Sequence, residues 1–148
     1  MRTDTSDREV EHLLGGGAFP VELLADGSET DGQFCIMRWT VDAGQGPHIH
    51  THQYEDESIF VLSGALRVEI GPAEREVQAR GFVVMPRGTP HRFVTIERTE
   101  MLTIFSPAGF EQFLRERDQH FRAHGHVDEQ TLDHLRTAHR ERMATKLR

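Results

Sequence analysis

Four residues in this 148-residue chain have types and spacing suited to holding a metal: His50, His52, Glu57 and His91. His50 and His52 alternate within Gly46-Pro47-His48-Ile49-His50-Thr51-His52. Side chains two apart on an extended strand point the same way. His48 shares that face, so the alternation alone allows His48 with His50 or His50 with His52. Glu57 precedes the apolar run Ile59-Phe60-Val61-Leu62, with Glu55 as a nearby rival, and His91 follows the turn Pro86-Arg87-Gly88. Neutral imidazole offers a lone pair and tolerates partial burial. One carboxylate offsets part of a divalent charge, leaving the site near +1 and attractive to an anionic, chelating oxygen ligand. Three nitrogens and one oxygen suit one divalent transition metal (Fe, Mn, Ni, Co, Cu or Zn) and disfavour Ca and Mg. Four protein ligands on an octahedral ion leave two positions for substrate, water or dioxygen. A redox metal would use them for oxygen chemistry, and a non-redox metal would polarise a carbonyl as a Lewis acid.

Short strands separated by turns must position these residues. Val21–Leu24, Gln33–Val41 and Glu57–Leu62 read as strands, the last running into the Ser63-Gly64 turn. Leu66, Val68 and Ile70 alternate with Arg67 and Glu69, the pattern of a half-buried strand. Phe82–Met85 is an apolar run, and His91–Ile96 and Met101–Phe105 complete the set. The pattern predicts an all-β sandwich or barrel of jelly-roll type. After Ser106-Pro107-Ala108-Gly109 the residues Phe110, Phe113, Leu114 and Phe121 take helical spacing. Asp128 suits the N-cap of a second helix that carries Leu132 and Leu135 on its apolar face. The chain therefore divides into a polar lead-in over 1–18, a barrel over 19–108 and a helical extension over 109–148 packed on the barrel. Gly15-Gly16-Gly17 reads as a hinge, because no Lys-Ser or Lys-Thr follows to make a phosphate loop.

Composition excludes some functions. The formal charge is −7, from 17 basic and 24 acidic residues, which argues against nucleic acid as a partner. No apolar stretch is long enough to span a membrane, and the polar start Met1-Arg2-Thr3-Asp4-Thr5 leads us to expect a cytoplasmic protein. The single cysteine, Cys35, lies in Phe34-Cys35-Ile36-Met37 and reads as a buried structural thiol. Trp39 reads as core. His12, His120, His124, His126, His134 and His139 lie mostly in the expected helices, and His120, His124 and His126 lack the carboxylate companions of a second metal site.

The spacing Gly44-x5-His50-x-His52-x4-Glu57-x6-Gly64 resembles the first motif of the cupin superfamily. Pro86, Gly88 and His91 match the second motif, with Arg80 at the place of its first glycine and Thr95 at the place of its asparagine. Neither departure falls on a ligand position of the family. The stretches 55–64, 85–93 and 105–110 are similar to small cupins described as quercetin-dioxygenase-like. The resemblance selects His50 with His52, since this choice sets both Gly44 and Glu57 at family intervals. It also selects Glu57 over Glu55, through the interval to Gly64.

That resemblance implies a cupin jelly-roll barrel with His50, His52, Glu57 and His91 as metal ligands. It implies an oxygenase acting on a small oxygenated aromatic or enolisable molecule that chelates the metal. Glu57 would double as a base, and His48 would sit at the cavity mouth as a proton carrier, a supporting group or an extra ligand. A Lewis-acid polyketide cyclase or isomerase is the alternative, with His48 and Glu55 as proton carriers. A non-catalytic small-ligand or metal-binding module is the third reading. Arg87 and Arg92 are candidates to grip an anionic substrate, and Phe93, Phe105 and Phe110 to line the cavity. A homodimer is expected, largely because dimers are common in the family, with the N-terminal segment adding to a partner's sheet.

Overall fold

Alternation of buried and outward residues along nearly every strand builds two antiparallel sheets facing one another. The computed structural model describes residues 9–13 and 19–147. Its strands are β1 (Glu11–Leu13), β2 (Val21–Ala25), β3 (Cys35–Val41), β4 (Asp56–Ser63), β5 (Ala65–Ile70), β6 (Ala73–Gln78), β7 (Phe82–Met85), β8 (His91–Thr95) and β9 (Thr99–Ser106). Two helices follow, α1 (Phe110–His124) and α2 (Glu129–Lys146). One sheet runs β1-β2-β3-β9-β4-β7 and the other β6-β5-β8. The result is a jelly-roll barrel with helices at the C-terminal end.

Two cores form on the inner face of the six-stranded sheet. Between the sheets, Ile59, Val61, Leu66, Val68, Met85 and Met101 are at most 1% exposed. Each such side chain stabilises the fold by about 1.5–3 kcal/mol. The second core joins Leu13, Val21, Leu23, Cys35, Met37 and Phe105 to Phe113 and Leu114 of α1. Trp39 is partly buried and packs against both. Asp128 caps α2, its carboxylate accepting from Thr131 N–H at 2.8 Å.

Several expectations are corrected by these elements. Residues 48–52 do not form a continuous strand, and only His50 is paired, in a bridge with His91. Two strands carry no apolar alternation strong enough to announce them. β1 has three residues, within the stretch read as a lead-in, and β6 (Ala-Glu-Arg-Glu-Val-Gln) buries Val77 alone. Gly15-Gly16-Gly17 lies outside the described residues.

The two departures from the motif spacing keep the local geometry by other means. Arg80 takes φ +70, the left-handed conformation that glycine favours. The Thr95 hydroxyl, buried, accepts from Gln45 N–H at 3.0 Å and lies against the Asp42 carbonyl, holding the loop that leads into the histidines.

Candidate metal centre

The site lies where the two cores and the two sheets meet. Glu57 comes from β4 and His91 from β8, one from each sheet. His50 and His52 come from the segment between β3 and β4. Three main-chain links place this segment. His50 N–H donates to the His91 carbonyl at 3.0 Å, and His91 N–H returns a bond to the His50 carbonyl at 2.9 Å. Gly88 N–H donates to the His52 carbonyl at 2.8 Å. Upstream, Gly46 passes so close to β8 that a Cβ there would lie 1.8 Å from the Phe93 carbonyl oxygen.

The side chains converge on one carboxylate oxygen. Glu57 Oε2 lies 3.0 Å from His91 Nε2, 3.2 Å from His52 Nε2 and 3.9 Å from His50 Nε2. One ligand atom from each of the four residues lies within 4.8 Å of the others. His52, Glu57 and His91 are buried, and the His50 side chain is 35% exposed, so the cluster opens to solvent on the His50 side.

Each ring is aimed by its other nitrogen. His50 Nδ1 is 2.8 Å from the His48 carbonyl, His91 Nδ1 is 2.9 Å from the Thr89 carbonyl, and His52 Nδ1 is 3.0 Å from Glu55 Oε1. Carbonyl and carboxylate oxygens accept, so Nδ1 donates in all three and Nε2 is the nitrogen turned inward. Anchoring the far nitrogen in this way fixes ring orientation and ligand basicity in metal sites. The donor set and its aim therefore fit a divalent transition metal. The acceptors differ: His50 and His91 rest on main chain, His52 on a carboxylate.

Glu55 is 1% exposed and also lies 2.7 Å, through Oε1, from Nε2 of His139 on α2. Burial acts to raise Glu55, but hydrogen bonds from His139 and His52 outweigh it and hold the carboxyl at about 2. Burial likewise acts against the charge on Glu57, and His52 and His91 hold it at about 2. His50 is pushed down by burial. Counting Glu55 with Glu57, and the imidazoles as neutral, a divalent ion would leave the cluster near neutral, below the +1 expected from one carboxylate.

His50, His52, Glu57 and His91 are brought together. His48 is exposed, and its carbonyl, at the ring of His50, is the contact it makes with the cluster. Glu55 stands one layer out, behind His52. Phe105 and Phe110 pack edge-on against His52, at ring distances of 5.2 and 4.9 Å, while Phe93 belongs to the core between the sheets. Arg87 pairs with Asp56 at 3.1 Å and Arg92 with Glu69 at 2.8 Å, so neither guanidinium is an unengaged anion grip. His139 is the residue that sequence reasoning passed over. It is separated from Glu55 by 84 positions, and no local pattern links them.

Residues 37–105 match the family described as Cupin domain. Quercetin 2,3-dioxygenase of Bacillus subtilis is 26% identical over 117 residues, covering 78% of this chain and 34% of that protein. The chain thus spans about a third of that enzyme's length. An uncharacterized protein of Streptomyces coelicolor is 30% identical over 100 residues, covering 67% of this chain and 89% of the other. Among solved structures, an RmlC-like cupin from Shewanella frigidimarina superposes with a TM-score of 0.64 at 17% identity, over 76% of this chain and 96% of that one.

Proposed function

The chain belongs to the cupin superfamily, and on that premise we propose that it is a metal-dependent oxygenase. Its substrate would be a small oxygenated molecule, aromatic or enolisable, that chelates the metal through one or two oxygens. The convergence of three Nε2 atoms on Glu57 Oε2, open on the His50 side, carries this reading. Similarity to a protein named quercetin 2,3-dioxygenase supports it.

His50, His52, Glu57 and His91 would hold one divalent transition metal. The metal would supply adjacent positions for substrate and dioxygen. Glu57 would also take a proton from the substrate. His48, exposed beside His50, would pass protons between the cluster and solvent. Phe105 and Phe110 exclude water from behind His52.

A cytoplasmic homodimer completes the proposal. Phe82, Val84 and Leu62 are exposed on the outer face of the six-stranded sheet, and Phe60, Leu102, Ile104 and Ile36 continue that face half-buried. β7 is one of the two edge strands of that sheet among the described residues. This apolar patch, bordered by Arg38, Glu100 and Asp56 on the same face, suits a two-fold contact with a second copy. Among the described residues, no helix is long and apolar enough to cross a membrane.

Elemental analysis of protein purified without added metal, followed by turnover of enolisable and phenolic substrates with and without oxygen, tests the function. Stoichiometric redox metal with oxygen-dependent turnover is the expected result. Oxygen-independent turnover would establish a Lewis-acid cyclase or isomerase instead, and tight ligand binding without turnover a binding module.

A further inference from the structure

His52 is the ligand whose aim depends on a chain of side chains. Its Nδ1–H donates to Glu55 Oε1 at 3.0 Å, and the same oxygen accepts from His139 Nε2–H at 2.7 Å. Glu55 and His139 are 1% and 7% exposed, so solvent does not substitute for either donor. His139 packs against the Phe110 and Phe113 rings at 5.7 and 6.0 Å. Its Nδ1 is buried without a hydrogen-bond partner, so the ring's one polar link is to Glu55. The rest of α2 grips the junction of β9 and α1. Met143, 1% exposed, fills the space beside Gly109, and Lys146 Nζ donates to the Ala108 carbonyl at 3.2 Å.

We propose that α2 is a working part of the metal centre: His139 is a positioning residue that holds Glu55, and through it the ring of His52, so that α2 docking and metal loading strengthen each other. This rests on the reading of His50, His52, Glu57 and His91 as ligands. Without the His139 donor, the Glu55 carboxylate turns to find another partner, and His52 loses its fixed aim. Linkage makes the effect reciprocal: the factor by which a docked α2 tightens metal binding is the factor by which metal tightens α2.

Co(II) and Zn(II) serve as probes, with affinity measured by chelator competition, coordination by the visible spectrum of bound Co(II), and α2 docking by amide hydrogen exchange. His139→Phe should weaken Co(II) binding on the order of 10–100-fold and alter its spectrum. His139→Gln keeps an N–H donor at the same reach and should recover most of both. In the unaltered protein Zn(II) should slow exchange along α2, and in His139→Phe it should not. Should His139→Phe fail to fold, Glu55→Gln and the exchange measurement on the unaltered protein decide the matter. Co(II) affinity within two-fold of the unaltered protein with an unchanged spectrum, or α2 exchange indifferent to Zn(II), overturns the coupling alone. An unaltered protein that takes up neither metal overturns the metal centre itself, and the coupling with it.

Discussion

His50 and His91 exchange both main-chain hydrogen bonds, at 3.0 and 2.9 Å, and their rings stand 4.6 Å apart. The pairing joins the loop before β4 to the start of β8, so one backbone register sets two candidate ligands at once. The two differ in surroundings. The His50 side chain is 35% exposed and His91 is 2% exposed.

Replacing either with alanine should abolish metal retention, read by elemental analysis after dialysis. His50→Ala should leave the metal-free unfolding temperature within about 3 °C of the unaltered protein, as for other surface changes. His91→Ala should lower it further, by about 1–2 kcal/mol of stability, because it empties a packed position. Equal metal content in either variant would remove that residue from the ligand set.

Gly46 and Gly44 should respond differently to alanine. A Cβ at Gly46 meets the Phe93 carbonyl oxygen at 1.8 Å, whereas Gly44, at φ +75, has nothing within 4 Å. Gly44→Ala should cost about 1 kcal/mol through backbone strain. Gly46→Ala must push the segment off β8, costing more than about 3 kcal/mol and reducing metal uptake with it. Urea unfolding of the two variants checks the order.

Asp26 ties the end of β2 to α1, accepting from Ser28 and from Arg115 Nη2 at 2.9 Å. Burial acts to raise its carboxyl, but the bonds from Ser28 and Arg115 hold it at about 2, below its ordinary 3.8. A depressed carboxyl stabilises the fold above its unfolded value and loses that contribution as pH falls. Asp26→Asn should therefore be less stable by about 1 kcal/mol at pH 7, the gap closing between about pH 4 and 2. A gap independent of pH in urea midpoints would contradict the assignment.

Cys35 is 0% exposed, and burial and the Glu111 carboxylate push its thiol up. A thiol-specific dye at pH 8 should leave the native protein unlabelled over hours and label it fully in denaturant. Rapid native labelling would mean that the second core opens readily.

Phe82→Glu tests the outer sheet face. The unaltered protein should elute at the dimer mass and this variant as a folded monomer, both by light scattering. A monomeric unaltered protein would refute the homodimer.

The sequence announced those parts of the fold whose residues are sorted by burial. β4 and β9 bury alternate residues almost without exception, and their apolar alternation is visible in the chain. β6 buries one residue of six, so its pairing with β5 left no apolar trace. The choice of His50 with His52, and of Glu57, came from the resemblance to the cupin motifs, and the structure brings these residues together with His91. Gly64, at φ +88, has the Arg98 carbonyl 2.5 Å from where a Cβ would sit. The Glu55–His139 bond was not legible, since it joins a loop to a helix through tertiary packing alone.

The anchoring of the three rings divides the centre by what a point mutation can reach. The acceptors for His50 and His91 are peptide carbonyls, which no codon change deletes. The acceptor for His52 is a side chain, and the donor behind that acceptor is another. A substitution at position 55 or 139 can thus reset one imidazole of the three, while the carbonyl anchors of the other two persist under any side-chain change.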